Sequence, residues 1–400
     1  MSVGLLTSAS APANLNALSF AQMITRLMPN GTAPLFGLTA LLKDETASNI
    51  EHGYYSKTVV FPSVTLNAAV ADGVATTLTV VSTADIVVGD MLMVSSTQEI
   101  MLVTAVTNAT TLAVQRGVGT IAAAAVSNSV VLYTVGNAFE EGSVRPAASS
   151  ILPVRNVNNT QIFRNSWAVT KTAAAIPQIA GAGYVGESKS DCAMFHAQAI
   201  EKALFFSQKY MGTRNGMPFH TMEGIIPRVT AAAPGNIVTL GSTTNWTQFE
   251  AALDPTLQTV TDPKSGNTRT MFVGGTARRV IHNIARLNST YQITGDKTEW
   301  GLQIDTIRTP RGVFEMIEHP LFNAYGASSA WAKMAVVCDL NAFSLAYLRR
   351  TDDAGYNASG ALVDSGVDAE GGTLTTELTC LIKNPSAFGV LYNFTAAAAG

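Results

Sequence analysis

The stretch Val154–Thr170, "VRNVNNTQIFRNSWAVT", decides how the rest of the chain is read. In its second half Phe163, Trp167 and Val169 fall on one face of a period-two pattern. Ile162, Arg164, Ser166 and Ala168 fall on the other. In its first half Asn156, Asn158 and Asn159 stand where a central strand would place apolar side chains. The pattern predicts one long extended segment that is neither a clean core strand nor an active-site loop. Its second face needs an explanation.

Composition narrows the explanation. Of 400 residues, 47% are hydrophobic, enough to bury a large core, so the chain is a folded protein of two to three domains at about 150 residues each. Only 13% are charged, against about 25% in typical soluble domains. Either much of the surface is covered by other protein, since interface cores are depleted in charge, or this is an Ala/Thr/Ser-rich β protein with a weakly charged exterior. A net charge of −3 provides no basic field to recruit nucleic acid. Cys192, Cys338 and Cys380 are far apart, each within an apolar pattern, and read as reduced buried thiols in a cytosolic setting. The N-terminus lacks the basic and hydrophobic regions of a signal peptide, and no apolar run reaches 18 residues, so no membrane association is expected.

Outward from the opening stretch, residues 1–20 read as an arm and "FAQMITRLM" as a short helix ended by Pro29-Asn30-Gly31. "EHGYYSKTVVFPSVTL" reads as a strand with Val60, Val64 and Leu66 on one face, and Pro62 marks it as an edge. Residues 67–135 then hold five short β runs, "TTLTVV", "DMLMVS", "EIMLVTAV", "TTLAVQ" and "SVVLYTV", separated by turn signals. They predict a small β-barrel or sandwich inserted between two extended arms, 51–66 and 136–172. An arm of this kind, at about 3.3 Å per residue, spans about 50 Å and protrudes unless it folds back. Past Gly186 a helix is expected with Ser190 as its cap and Gly212 at its end. It carries two apolar stripes, one of Ala193, Ala197, Ile200 and Leu204, the other of Phe195, Ala199, Phe206 and Tyr210. Residues 213–372 read as mixed α/β. A helix lies near 245–253, "RTMFVG" is a strand and "TARRVIHNIARLN" a helix. "GVFEMIEHP" and "MAVVCDLNAFSLAYL" are strands, and a polar loop covers 349–372. "TLTTELTCLI" alternates, with Leu374, Leu378, Cys380 and Ile382 on one face.

The motifs for chemistry are weak. "GAGYVG", Gly181–Gly186, has the letters of a dinucleotide fingerprint. Pro177 interrupts the lead-in, however, and the acid at the right spacing, Glu201, lies mid-helix, so a flexible connector accounts for it better. "VGGTARR", Val273–Arg279, lacks the GKS/GKT ending of a phosphate loop and reads as a plain strand–turn–helix. Asp352-Asp353 and Asp364, Asp368 and Glu370 lack calcium-loop spacing and read as solvated loop charges. No GxSxG or HExxH is present, nor a cysteine or serine with an evident histidine partner. The expectation is a non-enzyme without cofactor or metal.

An arm, a long hairpin, a long helix, a mixed α/β middle and a closing strand, in that order, resemble the major capsid proteins of tailed bacteriophages. The fold class this implies is α+β, HK97-like, with an all-β domain inserted in the extended loop (E-loop). The stretches that carry the likeness are "VGDMLMVSSTQEIMLVTAVTNATTLAVQRGVGT", "EEGSVRPAAS" with "NTQIFRNSWAVTKTAAAI", "AIEKALFF" and "ELTCLIKNPSAFGVLYNF".

The resemblance implies a division into an N-terminal arm (1–20), the start of a P-domain (21–50) and a first E-loop arm (51–66). The β insert (67–135), a second E-loop arm (136–172) and the P-domain with its spine helix (173–212) follow. An A-domain (213–372) and a closing P-domain strand with a tail (373–400) complete the chain. It also answers the opening question, because one face of Val154–Thr170 then lies on its own subunit and the other on a neighbour. Lys57, Glu140, Glu141, Arg145, Arg155, Asn158, Asn159 and Arg164 become candidates for intersubunit contacts. The implied function is self-assembly as hexamers and pentamers into an icosahedral head, formed in the host cytoplasm and retained in the virion. Implied partners are scaffolding, portal and decoration proteins and, weakly, packaged double-stranded DNA. Some such proteins carry an N-terminal scaffolding segment that a protease removes, and 1–20 is too short for one. Some cross-link through a Lys–Asn bond, and Lys57 has no identifiable partner for that. Alternatives are a tail or decoration component, or a binding module whose insert recognises a decoration protein or a glycan.

Overall fold

The computed structural model describes residues 33–39, 44–57, 61–146, 150–178, 182–259, 267–288, 294–299, 302–356 and 368–398. The expected N-terminal arm, the helix "FAQMITRLM" and Asp364 lie outside the described residues. The chain divides into two compact units. One is Tyr55–Arg155, and the other is formed by the residues up to Tyr54 together with those from Asn156 onward.

The smaller unit is a closed β-barrel. Its strands run in the order Ser63–Thr65, Val131–Asn137, Asp90–Val94, Ile100–Asn108, Thr111–Gln115, Thr77–Thr79. The two ends meet at the Leu66–Val80 bridge, where Asn67 N–H donates to the Thr79 carbonyl at 2.9 Å. Alternation drives this closure, because Leu92 and Val94, Met101 and Val103, Leu112 and Val114 all point into one buried core. Each such side chain contributes about 1.5–3 kcal/mol of burial. The five expected runs are all strands. The sixth, Ser63–Thr65, comes from the stretch assigned above to the first arm, because Val64 and Leu66 bury into the barrel core.

The larger unit is built on two sheets. The seven-stranded sheet runs Ile237–Thr239, Gly389–Tyr392, Ala335–Cys338, Thr268–Val273, Gly312–Glu318, Leu302–Thr309, Thr294–Glu299. Its centre is covered on both faces, so the inner strands carry continuous apolar runs such as 271–273 and Ala335–Cys338. The outer strands Leu302–Thr309 and Thr294–Glu299 are more polar in sequence. Met271, Val273 and Met316 face the helices Trp246–Leu253 and Gly275–Leu287. Phe272, Ile317 and Val336 face the long helix Tyr184–Phe206. There Phe205 stands edge-on to Phe272 and Phe322, with centroids 5.6 and 5.3 Å away. The four-stranded sheet runs Glu45–Thr46, Phe343–Tyr356, Ala369–Ile382, Gln161–Thr170, and the long helix packs on it through Ile200 and Leu204.

Several expectations are corrected here. Val154–Thr170 is two strands rather than one. Val154–Asn159 pairs with Glu51–Ser56, and Gln161–Thr170 pairs with Ala369–Ile382. The break falls at Thr160, where its N–H donates to Ile50 and its carbonyl accepts from His220 Nδ1. The long helix begins at Tyr184 after Gly183 and ends at Phe206, so Ser190 lies inside it and Gly212 belongs to a later hairpin. Cys192, His196, Ile200, Ala203 and Leu204 form one buried stripe, with Glu201 and Phe205 buried beside it. Of the second expected stripe, Ala199 and Phe206 pack half-buried against the core, Phe195 is exposed, and exposed Tyr210 lies beyond the helix. Only the second half of "GAGYVG", Tyr184–Gly186, is helix, forming the first turn of this element after Gly183, and Gly181 lies outside the described residues. "MAVVCDLNAFSLAYL" is split between the two sheets. The ends of the polar loop are strand, so Asp353 lies in a sheet where it accepts from Trp167 Nε1 at 3.3 Å. The closing strand is buried on both faces from Thr376 to Ile382, not on one.

Candidate functional site

The polar side chains inside the larger unit join parts of the chain that are remote in sequence. Glu201, fully buried on the long helix, is the clearest case. Its Oε1 and Oε2 accept from the Leu35 and Phe36 amides, both at 2.8 Å, which satisfies the free N–H groups at the start of the helix Pro34–Thr39. Oε1 also accepts from His319 Nε2 at 2.7 Å. His319 Nδ1 accepts from Leu321 N–H, so the ring proton sits on Nε2, and the same histidine caps the short helix Pro320–Asn323. One carboxylate thus ties the segment at Leu35–Phe36, the long helix and the end of the inner strand Gly312–Glu318 of the seven-stranded sheet.

His196, one stripe position earlier, stitches the helix to the four-stranded sheet. Nδ1 donates to Asn165 Oδ1 at 2.9 Å, and Nε2 accepts from Thr376 Oγ1 at 2.8 Å. The Thr376 oxygen lies 2.8 Å from Thr351 Oγ1, which supplies the next proton. Burial pushes the His196 imidazolium below its ordinary range, which keeps the ring neutral. Glu377, on the closing strand, accepts from Thr160 Oγ1 at 3.0 Å and from Arg349 Nε at 2.9 Å.

The barrel has its own node. Glu99 and Arg116 form a buried bidentate pair, Nε–Oε1 2.6 Å and Nη2–Oε2 2.7 Å. The Gly117 and Ala124 amides also donate to Glu99, and Arg116 donates to the Asp72 and Ala124 carbonyls. Burial alone would raise the Glu99 carboxyl, but the Arg116 and Ala124 hydrogen bonds and the Arg116 charge outweigh it and hold the group below its ordinary range.

These nodes are closed by their own chain and present no reacting atom to a substrate. The three cysteines are free and buried. Burial, with help from the Glu223 charge, pushes the Cys380 thiol up to about 12, and burial likewise raises Cys338, so neither is a nucleophile near neutral pH. Among the described residues no group of three His, Cys, Asp or Glu side chains is placed to hold a metal.

The predicted contact residues separate into two classes. Asn158 and Asn159 are buried in their own unit, which corrects their assignment to an interface. Asn158 Oδ1 accepts from the Glu223 amide at 2.7 Å, and its Nδ2 donates to the Cys380 and Glu223 carbonyls at 2.8 and 3.0 Å. Asn159 Nδ2 donates to the Tyr210 carbonyl at 3.2 Å. Side-chain amides here replace a missing neighbour strand. Lys57, Glu140, Glu141, Arg145, Arg155 and Arg164 are exposed. Lys57 borders a cleft with Asp85 and Asp90, and Arg164 a groove with Arg349, Arg350 and Asp352. Of the residues that sequence reasoning missed as structural nodes, Glu201, His319, His196, Glu99 and Arg116, only the two acids carried a faint signal. Glu201 and Glu99 are lone acids inside or beside apolar runs, "AIEKALFF" and "EIMLV".

Comparison with known proteins places these features. The model of the SU10 major capsid protein family matches residues 7–395. The chain is 38% identical over 403 residues to the major capsid protein of Pseudomonas phage PaMx41, covering 97% of this chain and 95% of that one. Among solved structures, a chain from Mycobacterium phage Cain aligns with a TM-score of 0.50 at 7% identity, covering 99% of this chain and 100% of that one. The capsid of a native GTA particle aligns with a TM-score of 0.50 at 8% identity and 98% coverage of both. At those identities the likeness is one of fold. The chain has the HK97-like fold and belongs to the SU10 major capsid protein family.

Proposed function

We propose that this chain, a major capsid protein of a tailed phage that works in many copies, assembles as hexamers and pentamers into an icosahedral head around double-stranded DNA. Assembly would take place in the host cytoplasm, with scaffolding, portal and decoration proteins as partners and with no catalytic step. The domain division given by the resemblance is part of this reading, with the E-loop arms flanking the barrel and the long helix as the P-domain spine.

The observation that carries it is the set of large apolar side chains left in water beside the barrel. Phe61 is 87%, Leu152 79% and Val144 89% exposed, in a chain with few charges to solvate its surface. All three lie on the segments that flank the barrel strands, and large apolar groups left this exposed are what a surface covered by other protein carries. Lys57, Glu140, Glu141, Arg145 and Arg155 lie along the same segments, and Arg164 lies on an edge strand of the four-stranded sheet. Each exposed charge contributes only about 0–1 kcal/mol. Head-to-tail repetition that closes on itself makes the sum large.

Sedimentation and negative-stain imaging of the purified chain, with and without its scaffolding protein, test the proposal. Rings of six or closed shells are expected. A species of single-chain mass under both conditions would overturn it.

A further inference from the structure

The hairpin Tyr210–Thr221 has an outer face that a hairpin in water does not normally show. Strands Tyr210–Arg214 and Met217–Thr221 are joined by Asn215-Gly216, whose φ angles of 53° and 74° make the tight two-residue turn that glycine and asparagine allow. In register, Gly212 faces Phe219 and Arg214 faces Met217. The Tyr210 ring lies across Gly212, where a Cβ would force it to shift. The Tyr210 and Phe219 rings are 6.1 Å apart. Tyr210 is 55% and Met217 70% exposed, and Arg214 is exposed beside them. The opposite face is anchored by buried His220 on the Thr160 carbonyl. An isolated two-stranded hairpin is marginal in water, and exposed aromatic, Met and Arg side chains are the types enriched where proteins meet.

The smaller unit carries a surface of matching chemistry. The turn Phe139–Val144, closed by Ser143 N–H to the Glu140 carbonyl at 3.2 Å, presents Val144, half-exposed Phe139 and the adjacent carboxylates of Glu140 and Glu141. Among the described residues no acid pairs with Arg214 and no base with Glu140 or Glu141.

We propose that the Phe139–Val144 turn of one copy docks on the Tyr210–Phe219–Met217 face of a second copy, with Arg214 opposite Glu140 and Glu141. The proposal rests on the self-assembly reading above and deepens it by naming the surface that receives the acidic turn. Two complementary but different surfaces on one chain make a head-to-tail contact, the kind that closes into rings. Like-charge juxtaposition at such a contact is costly, which gives the charges a role in specificity.

The test uses the full chain under assembly conditions. Met217→Cys chains are mixed with Val144→Cys chains and oxidised. The native cysteines are buried, so disulfide-linked dimers report the engineered pair, and they are expected in the mixture and not with either variant alone. In parallel, Arg214→Glu should lower particle yield at least about tenfold, as should Glu140→Arg with Glu141→Arg, and combining the three should restore it to within about twofold. Normal particles with neither cross-link nor yield loss overturn the docking and leave self-assembly standing. A yield loss that the charge swap does not restore assigns Arg214 to another partner, such as a scaffolding or decoration protein, and also overturns it. Failure of the unsubstituted chain to form particles with its scaffolding protein present overturns both readings together.

Discussion

Glu99 and Glu201 are both fully buried carboxylates, and they are satisfied in opposite ways. Glu99 finds every partner inside the barrel, with Arg116 17 residues away and the Ala124 amide 25 away. Glu201 reaches Leu35 across 166 residues and His319 across 118. The barrel therefore neutralises its buried charge locally, as a module that carries its own means of folding would. The larger unit is pinned by contacts that exist only when distant segments have come together.

Breaking the long-range node should have the larger effect. Glu201→Ala leaves two helix-start amides and the His319 Nε2–H without an acceptor, each costing about 1–3 kcal/mol. The expected loss is about 3–5 kcal/mol from the larger unit, in the range for a broken buried pair. Trp167, Trp246, Trp300 and Trp331 all lie outside 55–155, so denaturant unfolding followed by tryptophan fluorescence reads this unit alone. An unchanged midpoint would show that the node does not hold the segments.

The local node should yield an effect that stays local. Arg116→Ala strands the Glu99 carboxylate and is expected to cost about 3 kcal/mol. Amide hydrogen exchange should show the loss in residues 63–137, while the tryptophan transition stays in place. Replacing both partners with apolar residues of similar size should cost less than Arg116→Ala alone. A tryptophan transition that shifts with Arg116→Ala would mean that the barrel is not energetically separate.

The same contrast explains which parts of the fold were legible in the sequence. The barrel's five central runs were readable because its interior is made by period-two alternation within each strand, as in Leu92 and Val94. Ser63–Thr65 reads as a strand but is assigned to the first arm, because nothing local distinguishes an arm from a barrel strand that reaches the core only through Val64 and Leu66. The long helix was displaced because "GESKSD" looks like a capped start, whereas the helix begins at Tyr184 with no side-chain cap. Asn158 was assigned to a neighbouring copy because the resemblance places one face of its stretch there. Its partners, Glu223 and Cys380, lie 65 and 222 residues away and leave no local trace. Glu201 was noticed only as an acid in the wrong place for a nucleotide site. The helix it caps starts at Pro34, beyond any spacing rule.

Acid should separate the two units without mutation. His196 is held below its ordinary value of 6.5 by burial, so the unfolded chain binds its proton first. The larger unit's stability therefore falls as pH drops through 6.5 towards the lower folded value. Glu99 is held below its ordinary 4.5. Its contribution to the barrel is complete above 4.5 and is lost only as pH falls from there through the folded value. Tryptophan-detected stability should thus decline in a pH range where barrel protection is still flat. His196→Gln should abolish the upper slope and Glu99→Gln the lower one. A barrel that weakens first would contradict the assignment of the two groups.

The smallest effect on the subunit, and the most telling one, is expected at Arg164. It stands on the same sequence stretch as Asn158, yet its side chain is exposed and faces away from the long helix, on the side opposite buried Phe163 and Trp167. Arg164→Ala should change unfolding by under about 0.5 kcal/mol, as surface substitutions do. If the outer face of Gln161–Thr170 meets a neighbouring copy, the same change lowers particle yield while the isolated subunit is indistinguishable from the parent. Equal particle yield would assign Arg164 to solvent and move the contact to other exposed positions. The burial pattern of this strand makes the two readouts separable, because one face is committed to the fold and the other is free for assembly.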